Sequence, residues 1–178
     1  IRLMGFDENC HEEFEKKVDE LISKGAKALI IDLRDNGGGV VDEATDITEL
    51  FLPKDKTIMI ERTKKEGEQI TKSEKDAKYN MKVVILTNEN SASASEIFAG
   101  ALKDNGKAKI IGEKTYGKGV IQTLYSLSDG SGLKITTAEY CTPNRNSINK
   151  IGIEPDIEVK LPENTKEITD KNDTQLKR

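Results

Sequence analysis

Residues 27–33, KALIIDL, constrain the fold of this chain more than any other stretch. A nearly continuous run of aliphatic and β-branched residues reads as a buried strand, and strands of that kind belong to parallel sheets covered by helices. An amphipathic helix precedes the run over residues 10–24, with Phe14, Val18, Leu21 and Ile22 on one stripe and Gly25 beyond its end. Asn9 and Glu12 resemble its cap. A second helix follows, marked by Val41, Ala44, Ile47 and Phe51 and closed by Pro53. Residues 81–87 form another buried strand, which passes through small residues into a helix carrying Ile97, Phe98, Ala101 and Leu102 on one face. Strand alternating with helix is the rhythm of an α/β layered fold. Further strands are expected at 57–61, 109–112, 120–125, 133–140 and 157–159, with the polar stretch 62–80 as an exposed hairpin or loop.

The chain has 178 residues, enough for one domain with a real core. Residues 1–162 are expected to form that core, and the polar stretch 163–178 a frayed tail. A net charge of −4 gives no reason to expect nucleic acid or an anionic membrane as partner. Aromatic residues make up 4% of the chain and Trp is absent, too few for a platform on which bases stack. No apolar run approaches the roughly 20 residues of a membrane span. The sequence opens on Ile1 inside an apparent strand, so a piece of a longer protein is expected. Cys10 and Cys141 are too few for a disulfide scaffold or a zinc site and are expected as free thiols; nothing calls for a metal or another cofactor. The one histidine, His11, sits in the first turn of a helix in an ordinary setting. A Ser-His-Asp triad is therefore disfavoured, and any serine nucleophile here needs another base.

Three places carry possible chemistry. Ser93 stands where a strand gives way to a helix, flanked by Ala92 and Ala94 and three residues before Glu96. The pattern fits a helix cap first, since capping serines are far commoner, and it also fits a nucleophile whose oxyanion is received by the Ala94 N–H. Gly37-Gly38-Gly39 follow the 27–33 strand and read either as a flexible turn or as a loop of bare N–H donors; a dinucleotide loop is weak, because its third glycine would fall at Asp42. Residues 112–118 match the G-x-x-x-x-G-K of a phosphate loop, yet Gly119 stands where Ser or Thr should hold magnesium, and a strand follows rather than a helix. Lys118 is either a surface lysine or, with Val120 and Gln122 on one side of an extended segment, part of a site.

Taken together, LIIDLRDNGGG (29–39), SASASEIFAGALKDNG (91–106), GEKTYGKGVIQ (112–122) and TP…GIEPDIEV (142–159) resemble the C-terminal processing peptidases, also called tail-specific proteases. The resemblance implies Ser93 as nucleophile, Lys118 as general base, Gln122 as the third member, and an oxyanion hole from Gly38 or Gly39 with Ala94. It implies a crotonase/Clp-peptidase-like α/β core and an endopeptidase that cuts polypeptides with accessible C-termini. It further implies a parent that carries a PDZ domain and is exported or membrane-anchored, and it leaves room for a homo-oligomer. The chemistry is coherent: free lysine has a pKa near about 10.4, burial away from carboxylates lowers it, and a neutral glutamine orients the amine without locking it as ammonium. A dry setting for Lys118 is therefore expected. Two other readings stand beside this one: a crotonase-like acyl-CoA enzyme, which does not need Ser93, Lys118 and Gln122, and an inactive core used for assembly or substrate binding.

Overall fold

In chain order the elements are α1 (Cys10–Ser23), β1 (Ala28–Asp32), α2 (Val41–Glu49), β2 (Thr57–Thr63), β3 (Gly67–Lys72), β4 (Lys82–Thr87), α3 (Ala94–Asp104), β5 (Ala108–Gly112), β6 (Val120–Ser126), β7 (Gly132–Cys141) and β8 (Ile157–Glu158). They come from a computed structural model that describes residues 1–63, 66–162, 168–169 and 171–178. Strands β1-β4-β5-β8 form a parallel sheet in that order, and β3-β2-β7-β6 an antiparallel one. The α/β class read from the sequence is the class observed.

The helices lie on one face of the parallel sheet. Phe14 and Val18 of α1, Ala44 and Ile47 of α2, and Ile97, Phe98 and Leu102 of α3 share one core with Leu29, Ile31, Val83, Ile85 and Ile110. β1 is consequently not buried on both sides as its aliphatic run suggests: Leu29 and Ile31 face the core, while Ile30 is 40% exposed. Helix α3 departs from its amphipathic pattern in the other direction. It packs against both β5 and β2, and every residue from Ala94 to Leu102 is buried. A helix enclosed between two sheets has no solvent face to keep polar. At 11 residues it is too short to persist alone, and burial of each large apolar side chain, roughly 1.5–3 kcal/mol apiece, holds it.

The start of α1 is capped from outside its own sequence. Asn9 has φ 66° and makes no side-chain cap bond. Instead the Glu43 carboxylate of α2 accepts the Asn9 N–H at 2.7 Å, the His11 N–H at 2.9 Å and lies 2.7 Å from His11 Nδ1. Burial pushes the Glu43 carboxyl up, but these hydrogen bonds outweigh it and bring the group down to about 2. The same bond raises the His11 imidazole, against an opposing contribution from desolvation. A raised imidazole stabilises the fold in full below its ordinary value of 6.5 and ceases to do so as pH climbs through the folded value. Denaturation in urea should accordingly show stability declining as pH rises above the ordinary imidazole value of 6.5, and His11→Gln should flatten that decline. An equally steep decline in the variant would remove His11 as its source.

Two further departures bear on the site. The expected frayed tail is in part docked: of 163–178, residues 163–167 and 170 lie outside the described residues, but Asp173 is 3% and Gln175 1% exposed. Their hydrogen bonds to Arg34 and to the end of β8 hold them in place. The β6–β7 hairpin projects instead, with Leu124, Tyr125, Leu133 and Ile135 all exposed. The polar 62–80 segment forms the expected hairpin where it is described, β2 pairing with β3. Both cysteines are free, and among the described residues no helix is long and apolar enough to cross a membrane.

Candidate active site

At the carboxyl end of β4 the chain turns through residues 88–93 into α3, and the three serines at 91, 93 and 95 have different fates. Ser91 is fully buried; its hydroxyl donates to the Leu33 carbonyl at 2.8 Å and accepts the Asn88 N–H at 3.1 Å. Ser95 is also fully buried and donates to the Asn36 carbonyl at 2.9 Å. Only Ser93 is part-exposed, and its hydroxyl meets the Tyr140 phenol. Its backbone lies at φ 58°, ψ −118°, a conformation that costs a non-glycine residue on the order of 1–3 kcal/mol. The capping pattern of Ser93 with Glu96 is realised from the glutamate side, whose carboxylate accepts the Ser93 N–H at 2.9 Å.

The glycine loop lies against this turn. Asn36, fully buried, ties it down: Nδ2 donates to the Leu3 carbonyl at 2.8 Å, and the Asn36 carbonyl accepts the Ala92 N–H at 3.0 Å besides the Ser95 hydroxyl. Gly38 has φ 97°, and a Cβ there would stand 2.7 Å from both Ser93 Cβ and the Ala92 carbonyl oxygen. No side chain fits. Gly39 approaches elsewhere, against Phe6, whose carbonyl oxygen would lie 2.3 Å from an added Cβ. The donors divide accordingly. The Gly38 N–H is spent on Asn36 Oδ1 at 2.9 Å, whereas among the described residues the N–H groups of Gly39 and Ala94 have no protein acceptor.

Glu96 joins Ser93 to the segment that carries Lys118. It is fully buried on α3, and beyond Ser93 its carboxylate accepts Thr115 Oγ1 at 2.6 Å, the Gly117 N–H at 2.7 Å and the Lys118 N–H at 2.8 Å. Four donors satisfy both oxygens of a carboxylate that burial would otherwise penalise heavily. The Tyr140 hydroxyl, which faces Ser93, donates to the Lys118 carbonyl. The Ser93 turn and the Lys118 backbone thus belong to one hydrogen-bonded unit.

The side chains of Lys118 and Gln122 do not complete it. Both are exposed. Among the described residues the Lys118 ammonium makes no hydrogen bond or ion pair, and Gln122 Nε2 reaches only Thr136 Oγ1 at 3.5 Å. The dry setting expected for Lys118 is absent because β6 is an edge strand, flanked only by β7, and the hairpin they form is uncovered. Neither Glu96 as a bridge nor Tyr140 and Asn36 as supports were identified from the sequence. Glu96 left a signal, a charged residue directly ahead of the apolar run Ile97–Leu102; Tyr140 and Asn36 left none.

An α/β domain with a strained serine at a helix head, facing a glycine loop, has the layout of a serine hydrolase that works through an oxyanion hole. Comparison with known proteins makes the assignment definite: a model of Peptidase family S41 matches residues 1–159, and the chain belongs to that family. It is 42% identical over 162 residues to a carboxyl-terminal-processing protease of Synechocystis, covering 91% of this chain and 38% of that protein. It is 39% identical over 166 residues to the carboxy-terminal processing protease CtpA of Bacillus subtilis, covering 93% of this chain and 36% of that protein. Among solved structures, a photosystem II D1 C-terminal processing protease superposes with a TM-score of 0.82 at 37% identity, over 90% of this chain and 42% of that one. The chain therefore spans well under half the length of these relatives.

Proposed function

We propose that this chain is the catalytic core of a serine endopeptidase that cuts polypeptides near their C-termini. The observation that carries the reading is the strained Ser93, part-exposed at the head of α3, next to the uncommitted N–H of Ala94 and packed against Gly38 of the glycine loop. The Ser93 hydroxyl oxygen attacks a peptide carbonyl while its proton passes to the Lys118 amine. The carbonyl oxygen becomes an oxyanion held by the N–H groups of Ala94 and Gly39, and Gly38 leaves room for it. Collapse expels the amine of the C-terminal fragment, which takes the proton from the lysine, and an ester on Ser93 remains. Water, deprotonated by the same lysine, attacks that ester, frees the new C-terminus and restores the serine.

Lys118 acts as base when substrate lies over the start of β6 and displaces water from the amine, and Gln122 orients that amine from β6. The identity to proteins named for carboxyl-terminal processing supports the specificity. The length of those relatives supports additional domains in the parent; in this reading one is a PDZ domain that receives the substrate's C-terminus, and the parent assembles as a homo-oligomer. The parent works outside the cytoplasm, exported or held at the membrane.

The test uses the parent protein and an unstructured polypeptide. A serine-reactive phosphonate should label Ser93, and Ser91 and Ser95 should stay unmodified. The cleavage rate should rise with pH as the lysine loses its proton, and Lys118→Ala should lower kcat by about 10²- to 10⁴-fold. A pH-independent rate, or full activity in Lys118→Ala, would remove Lys118 as base; labelling at another serine would remove Ser93 as nucleophile.

A further inference from the structure

Arg34 follows β1 and opens the turn that leads into the glycine loop, and its side chain is 3% exposed. All five of its N–H groups have acceptors. Nε donates to Asp32 Oδ1 at 2.8 Å and Nη2 to Asp32 Oδ2 at 2.7 Å. From the C-terminal segment, Asp173 receives Nη1 on Oδ1 at 3.0 Å and Nη2 on Oδ2 at 2.8 Å, and Gln175 Oε1 receives Nη1 at 3.0 Å. The segment is anchored at its far side as well: Gln175 Nε2 donates to the Val159 carbonyl at 2.7 Å and Thr174 Oγ1 to the Lys160 carbonyl at 2.8 Å. Residues 171–176 therefore tie the end of β8 to the end of β1, the two outer strands of the parallel sheet.

The connection continues toward Ser93. The turn holding Arg34 closes with the Asn36 N–H on the Leu33 carbonyl at 3.1 Å, and Asn36 in turn receives the Gly38 N–H, the Ala92 N–H and the Ser95 hydroxyl. A guanidinium forked on both sides is fixed in orientation as well as position. Stability alone does not call for such a cluster, since well-packed apolar side chains commonly serve as well as a buried ion pair.

We propose that Asp173, with Gln175, is a positioning residue for the peptidase: the C-terminal segment grips Arg34 and thereby sets the placement of the glycine loop that receives the oxyanion. The inference rests on the peptidase reading above for its catalytic consequence, and on geometry alone for its structural one. An oxyanion donor is worth about 10²–10³ in kcat, so a misplaced one should lose a part of that.

The experiment takes the parent enzyme with Asp173→Asn, which keeps volume and removes the second carboxylate, and Gln175→Leu, which removes a single acceptor. Tyr79→Phe serves as control, because it deletes only hydroxyl bonds to Asp19 and the Glu15 carbonyl on α1, outside the Arg34 cluster. For Asp173→Asn the expected results are a kcat lower by about tenfold to 100-fold with KM within about twofold, and faster amide hydrogen exchange in residues 35–39. Gln175→Leu should shift both in the same direction by less, and Tyr79→Phe neither. Unchanged exchange in Asp173→Asn and Gln175→Leu overturns the proposal, as does faster exchange with unchanged kcat. If the parent shows no cleavage that depends on Ser93, the peptidase reading fails by itself, and exchange still decides whether the segment holds the loop.

Discussion

Ser93→Ala should reduce cleavage of an unstructured polypeptide by the parent enzyme at least about 10⁴-fold, with substrate binding retained. The substitution removes the nucleophile and leaves the N–H groups of Ala94 and Gly39, together with the binding surfaces, intact. Alanine has the same difficulty as serine at φ 58°, so the fold should be almost unaffected. Ser93→Gly separates the two properties. Glycine adopts a positive φ freely, so this variant should be equally inactive yet more stable, by about 1 kcal/mol. Urea denaturation of the two variants side by side checks the claim. A glycine variant no more stable than the alanine one would mean that Ser93 carries no backbone strain. Cleavage surviving in either variant would remove Ser93 as the nucleophile and end the mechanism built on it.

Glu96→Ala should destabilise the chain by about 3–5 kcal/mol, because the four donors gathered on the carboxylate would be left buried without acceptors. Glu96→Gln keeps the volume but turns one oxygen into an amide that faces donors already aimed at it, so it should lose most of the same stability. Activity should fall further than folding explains. Glu96 holds the Ser93 N–H and the Lys118 N–H on one and the same carboxylate oxygen, and a shift of about 1 Å between attacking group and base can cost 100-fold in rate. The measurement is kcat at a temperature where both variants remain folded, alongside the midpoint in denaturant. A stable Glu96→Gln enzyme with ordinary kcat would show that the Glu96 bridge is dispensable.

Much of this arrangement was legible before any coordinates. The runs at 27–33 and 81–87 are parallel strands, the helices lie where their apolar spacing puts them, and the stretches around Gly38, Ser93 and Lys118 meet. These features are local in cause: hydrophobic periodicity, turn residues and helix ends need only neighbours in sequence. The errors arose where a distant segment intervened. Asn9 looked like the cap of α1, yet Glu43 does that work across 34 residues. The 163–178 stretch looked like a polar end, yet Asp173 reaches back 139 residues to a buried arginine.

Residue order alone settled the class of fold and the family resemblance and pointed away from any serine chemistry that leans on histidine, since each rests on residue types at short spacings. Three-dimensional packing decided which of three serines keeps an accessible hydroxyl, which glycine N–H is already committed to Asn36, and which carboxylate binds the two halves of the site together. Those outcomes depend on close approach between segments far apart along the chain. Hydrogen-bonding capacity buried by that approach has to be satisfied by whatever group the fold brings there, and spacing along the chain does not record which group that is.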